Sequence, residues 1–246
     1  MRLLLSFLFA FAAVLPTHAQ KPVYVVASIV GDRLMVVVAE KSVGSNIDRN
    51  RREFYPLNSP ALDNGLILAV QDALQDSDPT AKPILLGVSA KALGETQARA
   101  LDEGNDSKPL IDAIAPAARK AGATHLILAL KHRDDARLRT ANGMVGLGKL
   151  EGLGFYVDAV MEMVNEQNGE RSIGFVAPFA YIRFLLVDLG TGATLREKVV
   201  RESHAVANQK ATVPWEALPA DQKVKLLQQL IRAAVADAVP ELLEKP

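Results

Sequence analysis

Apolar positions along this chain follow two periods. Val23 to Val30 and Leu34 to Ala39 are rich in β-branched residues and flank Gly31-Asp32, a pair suited to a two-residue II′ turn, so the pattern predicts an opening β-hairpin. From Lys41 to Asn58 the alternation fades among charged residues and reads as a loop. Ser59 and Pro60 then suit a helix start, and Leu62, Leu66, Ala69, Val70, Ala73 and Leu74 repeat on one helical face, which should end near Gln75. Pro83 to Ser89 reads as a short buried strand. Leu110, Ile114, Ala117 and Ala121 predict a second helix, with Gly122 as its cap and Pro116 as a point of kinking or division. Thr124 to Leu130 is almost uniformly apolar, as expected of a central strand covered on both faces.

Beyond a glycine-rich stretch from Gly143 to Gly154, Phe155 to Val164 resumes a strand pattern. Tyr181 to Val187 and Leu195 to Glu202 flank a turn at Asp188 to Gly192 and read as a hairpin. Val224, Leu227, Ile231, Ala234, Val235, Ala238 and Leu242 keep helical period to the chain end, interrupted by Pro240. Strands and helices therefore interleave. The expected fold is a single α/β domain over residues 20–246, a mixed β-sheet with packed helices, an opening β-hairpin and a long C-terminal helix.

The first nineteen residues follow a different rule. Arg2 precedes an apolar run from Leu3 to Val14, Pro16 breaks it, and Thr17-His18-Ala19 offers a small-residue site before Gln20. This predicts a signal peptide over 1–19 cleaved between Ala19 and Gln20. Arg2 is the only charged side chain in that segment, so the 28 basic and 28 acidic residues of the whole chain become a mature balance of one negative charge. Such a balance speaks against nucleic acid as a partner, which calls for a positive excess or patch. The chain has no cysteine, so neither a disulfide nor a cysteine-linked lipid anchor is expected. No later apolar run reaches the length of a transmembrane helix. The expected product is soluble and periplasmic.

The segments Ala117–Leu128 and Tyr181–Gly192 together resemble the family that includes the curli-secretion-channel protein CsgG and the amino-terminal domain of TolB. Ala117-Ala118-Arg119-Lys120-Ala121-Gly122-Ala123-Thr124-His125-Leu126-Ile127-Leu128 is similar to that family's helix, Gly-Ala turn and buried strand. Tyr181 through Asp188-Leu189-Gly190-Thr191-Gly192 is similar to its long strand running into an Asp-x-x-Thr-Gly turn. Gly122, Asp188, Thr191 and Gly192 are architectural in this reading, as turn and cap residues. The resemblance implies an anticodon-binding-like fold that binds envelope proteins or self-associates.

Chemistry is sparse. Gly146 and Gly148 begin like a dinucleotide fingerprint, but Glu151 stands where the third glycine belongs, and no nucleotide or other cofactor is expected. His125 falls within a buried strand. His132, Asp134 and Asp135 could meet a divalent cation only if a loop curled them together, and no metal ligand is assigned. Nucleophile motifs are absent, so no catalytic residue is assigned. Arg49, Arg51 and Arg52 form the candidate ligand or partner loop, since guanidinium groups grip carboxylates and phosphates in a bidentate manner. The expected function is a non-enzymatic accessory or partner-binding role in the bacterial envelope. Alternatives are binding of a small ligand at the arginine loop and a metal-dependent hydrolase built on His132.

Overall fold

The computed structural model describes residues 21–40, 50–102, 104, 106–140, 143–164, 171–207 and 213–244. Its elements run β1 (Tyr24–Ser28), β2 (Arg33–Val38), β3 (Arg51–Pro56), α1 (Ala61–Ser77), β4 (Ile84–Leu85), α2 (Ala90–Asp102), α3 (Lys108–Lys120) and β5 (His125–Lys131). After these come β6 (Arg133–Asp135), β7 (Leu138–Thr140), β8 (Gly143–Val145), β9 (Lys149–Val164), β10 (Arg171–Asp188), β11 (Thr194–Ser203) and β12 (Val206–Ala207). A 3-10 turn (Pro214–Ala217) precedes α4 (Ala220–Leu243), which continues through Pro240. The fold is mixed α/β.

The sheet is ordered β3-β2-β9-β10-β5-β1-β4, with β11 and β12 also on β10. The long strand β10 organises it. One edge of β10 pairs with β11 from Phe179 to Val187, while the other pairs with β9 up to Tyr181 and with β5 from Ile182 onward. The sheet therefore forks at Tyr181 and Ile182. There His132 donates its backbone N–H to Tyr181 O at 3.0 Å, and Gly152 donates to His132 O at 3.1 Å. Residues 133–151, which join the two branches, hold β6 against β9 and the small β7–β8 hairpin.

Side-chain alternation builds a layer on each face of the β5 branch. Val26, Ile127 and Ala129 face α1 and α4, while Val25, Ala27, Leu126 and Leu128 face α2 and α3. This is why β5 is apolar at every position from Leu126 to Leu130: successive residues point to opposite faces and both faces are covered. On the β9 branch, Met35 and Val37 pack with Tyr156, Phe175 and Phe179 beside the β7–β8 hairpin, and the opposite face behaves otherwise, as described below. β2 lies close to β9 because Gly154 has no side chain; a Cβ there would stand 1.9 Å from Met35 O.

The structure revises several expectations. The strands flanking Gly31-Asp32 are present, but β1 pairs with β5 and β4 whereas β2 pairs with β9 and β3. The N-terminal hairpin is thus β2–β3, and the Gly31-Asp32 turn carries the chain from one branch to the other. Residues 51–56, read as loop, form edge strand β3, whose charged side chains and Pro56 belong to an exposed sheet edge. Residues 90–102, outside every predicted element, form α2. Pro116 lies inside α3 without dividing it, and the Pro83–Ser89 run contributes only the two-residue strand β4.

Candidate binding groove and a closed charge cluster

Three stretches distant in sequence converge beside the fork. Asn50 donates its amide to Leu147 O at 2.6 Å and Arg52 Nε donates to Lys149 O at 3.4 Å, so the start of β3 touches the approach to β9. Strand β6 adds residues 133–135 on the other edge. At their centre lies Glu151, 3% exposed. Its carboxylate accepts from Arg33 at 2.9 Å and from Arg133 at 2.7 and 3.0 Å, and Arg133 also reaches Asp102 at 2.5 Å. Burial pushes the Glu151 carboxyl up, but the two guanidinium groups bring it below its ordinary value.

The carboxyl ends of the parallel strands β1 and β5 lie next to this cluster. In open α/β sheets such ends often form binding crevices. Here they are filled. Lys131, 4% exposed, forms an ion pair with Asp32; burial pulls its ammonium down while Asp32 opposes the shift. Gln97 bridges both strands, donating to Ile29 O at 2.8 Å and accepting from Lys131 N at 2.8 Å. Asp63, at the start of α1, accepts from the Ser28 hydroxyl at 2.5 Å and from the Val30 and Gly31 amides at 2.9 and 3.1 Å. Burial still holds its carboxyl above the ordinary range. The polar groups at these strand ends are used to hold the turn and α1 in place.

The other candidate residues disperse. Asp134 is bound by Arg201 at 2.5 and 2.6 Å, with His132 Nε2 3.8 Å away, and Asp135 pairs with Lys149 at 2.6 Å. The possible cation trio is therefore divided between opposing bases. Among the described residues no group of three or more metal-ligating side chains is placed to hold an ion. His132 is nearly buried, and burial together with Arg201 depresses its pKa. His125 sits at the start of β5, its Nδ1 2.8 Å from Thr124 Oγ1 and its ring against Tyr24. Gly122 takes φ +84° after α3. The Asp188 carboxylate accepts from Gly190 and Thr191 amides at 2.7 and 2.9 Å, Thr191 Oγ1 accepts from Ala193 N at 3.3 Å, and Gly192 takes φ +75°. Ala19, Gln20 and Arg49 lie outside the described residues.

Arg51 leads to the feature that sequence reasoning missed. It lies on β3 at the wall of a groove of about 600 Å³ over the partly covered face of β3, β2 and β9. Leu34, Val36, Phe155 and Val157 form the floor; Tyr55 and Glu53 stand beside Arg51, and Trp215 with the first turns of α4 forms the far wall. Phe155 meets Trp215 edge-on at 5.3 Å between ring centroids. Lys223 Nζ stands 3.9 Å from the Trp215 ring centroid and donates to Trp215 O and Leu218 O at 2.7 and 2.6 Å. Burial lowers the Lys223 pKa. Val224, 51% exposed, opens onto the same space. The signal available in sequence was the alternation of Leu34, Val36 and Val38, but its partners are scattered from residue 51 to 227.

No family model matches the chain, so the motifs shared with CsgG and the TolB domain stand as a resemblance. No curated protein matches it either. Among solved structures the chain is similar to the PelC dodecamer from Paraburkholderia phytofirmans, at 9% identity and a TM-score of 0.37, with 92% of this chain and 89% of that chain covered. It is also similar to the LpoB C-terminal domain from Salmonella enterica, at 14% identity and a TM-score of 0.25, covering 76% of this chain and 83% of that one. Among the described residues no helix is long and apolar enough to cross a membrane.

Proposed function

We propose that this is an exported accessory protein of the bacterial envelope, soluble in the periplasm as one domain, that binds rather than catalyses. Its partner is an envelope protein or a second copy of itself. The supporting observation is that the polar side chains at the strand ends are bonded to one another, whereas the open concavity over β2 and β9 is apolar. A general acid, base or nucleophile has to reach its substrate, and Glu151, Lys131 and Asp63 are all turned inward onto protein partners. The Ala117–Leu128 and Tyr181–Gly192 motifs point the same way through their likeness to envelope proteins.

Site-specific photo-crosslinking from position 224 in intact cells tests this, combined with fractionation. The expected outcome is a mature chain starting near Gln20 in the periplasmic fraction and one discrete protein adduct. A cytoplasmic, strictly monomeric and adduct-free protein would count against it. A second reading, binding of a small ligand, is favoured by a specific observation: Arg51 of the candidate arginine loop lines a groove whose volume falls within the range of roughly 300–1,000 Å³ usual for ligand pockets.

A further inference from the structure

The groove has a charge bias as well as an apolar floor. Arg51, Glu53 and Lys223 are the charged side chains that line it, a net of one positive charge. Glu53 is already occupied: one oxygen lies 3.1 Å from Arg51 Nε and the other accepts from the Tyr55 hydroxyl. The two terminal nitrogens of Arg51 meet no acceptor among the described residues, and its side chain is 62% exposed at the mouth. On the far wall Lys223 is held by backbone carbonyls and the Trp215 ring, with no carboxylate among the described residues within ion-pair distance. The free cationic donors thus lie at the rim and the apolar surface lies along the floor.

An extended peptide is a poor match for this place, because Arg51, Arg52 and Pro56 protect the β3 edge against strand addition. We infer that the groove binds a free fatty acid, its chain over Leu34, Val36, Phe155 and Trp215 and its carboxylate on the Arg51 guanidinium. Burial of the chain supplies non-directional attraction, and the planar guanidinium supplies a fork of donors matched to the two carboxylate oxygens. Lys223 adds charge from the opposite wall. The inference rests on the ligand-binding reading of the groove.

Titration calorimetry with decanoate, decanol, decylammonium and decyl phosphate tests it on the mature chain. Decanoate should bind about tenfold tighter than decanol, the size of one charge-assisted contact, and decylammonium should bind weakest. Arg51→Gln, at an exposed position, should bring decanoate down to the decanol level, and Val224→Trp should fill the groove and remove binding of all four, with unchanged melting temperatures. Decanol or decylammonium binding as tightly as decanoate would overturn the inference, as would tighter binding of decyl phosphate, indifference to Arg51→Gln, or no saturable binding at all. If no amphiphile binds while position 224 still crosslinks a protein, the inference falls and the accessory reading stands. If decanoate binds but the protein stays in the cytoplasm, the accessory reading falls and the inference stands.

Discussion

The two branches of the sheet handle their exposed ends in opposite ways. At the carboxyl ends of β1 and β5, where the fold offers a crevice, charged side chains close it: Glu151 between Arg33 and Arg133, Lys131 on Asp32, and Asp63 on the turn. On the β3-β2-β9 face, where a helix would complete the layer, α4 covers only part of the apolar floor. Polar residues gathered in one place are therefore no guide to a site in this molecule. Their bonds to one another lock the junction of β2, β6 and β9, while the less conspicuous apolar face is left partly open. Buried ion pairs of this kind contribute little net stability but are costly to break, so damage to the two regions should have different signatures.

The largest effect should come from Glu151→Ala. It leaves Arg33 without a carboxylate, facing an Arg133 that keeps only Asp102, and urea denaturation should show a loss of about 3–5 kcal/mol. A loss below 1 kcal/mol would mean that the cluster does not lock the fork. Next is a pH dependence centred on His132. Its pKa is depressed in the folded chain, so the unfolded chain takes up the proton first. The stability tied to the neutral ring is complete above the unfolded value of about 6.5 and is lost as pH falls toward and through the folded one. Acidification from pH 7 to 5 should therefore lower the urea midpoint of the native chain more than that of His132→Phe; equal slopes would remove His132 from the account.

Asp188→Ala removes the acceptor for two turn amides and should lower the urea midpoint by clearly less than Glu151→Ala does. The smallest stability change is expected at the groove. Val224→Asp, at a half-exposed position, should change stability by less than about 0.5 kcal/mol yet abolish ligand uptake from that face. If it destabilised the chain as much as Glu151→Ala, the groove would be core rather than site.

Features written in local sequence were legible before the structure. The uniform apolar run of β5, the helical stripe of α4 and the turn residues from Asp188 to Gly192 each depend on neighbours within a few positions. Pairing was less accessible. Tyr24 aligns with His125 across a hundred residues, and nothing in Gly31-Asp32 distinguishes a hairpin turn from a crossing between branches. β3 was hidden because an edge strand carries charge for protection, which resembles loop composition. Glu151 attracted notice only as a missing glycine. Its actual role needed Arg33, Arg133 and Asp102 brought together from three other elements. The groove was invisible for a related reason: Leu34, Val36, Phe155 and Leu227 are the residues any core would use, and only the incomplete cover given by α4 makes them a surface.

The fork at Tyr181 and Ile182 also has a consequence in time. β1, β2, β5 and β9 all precede β10 in the chain, yet beyond the short β6–β9 ladder β5 and β9 are joined side by side only through it. Until residues 171–188 have been made, the two branches are linked only by the Gly31-Asp32 turn, the 133–151 segment and the short β6–β9 ladder, and each has an unpaired strand edge. Non-local pairing of this sort slows folding. The finished sheet should therefore assemble late and almost at once, when a single strand supplies the missing neighbour to both halves.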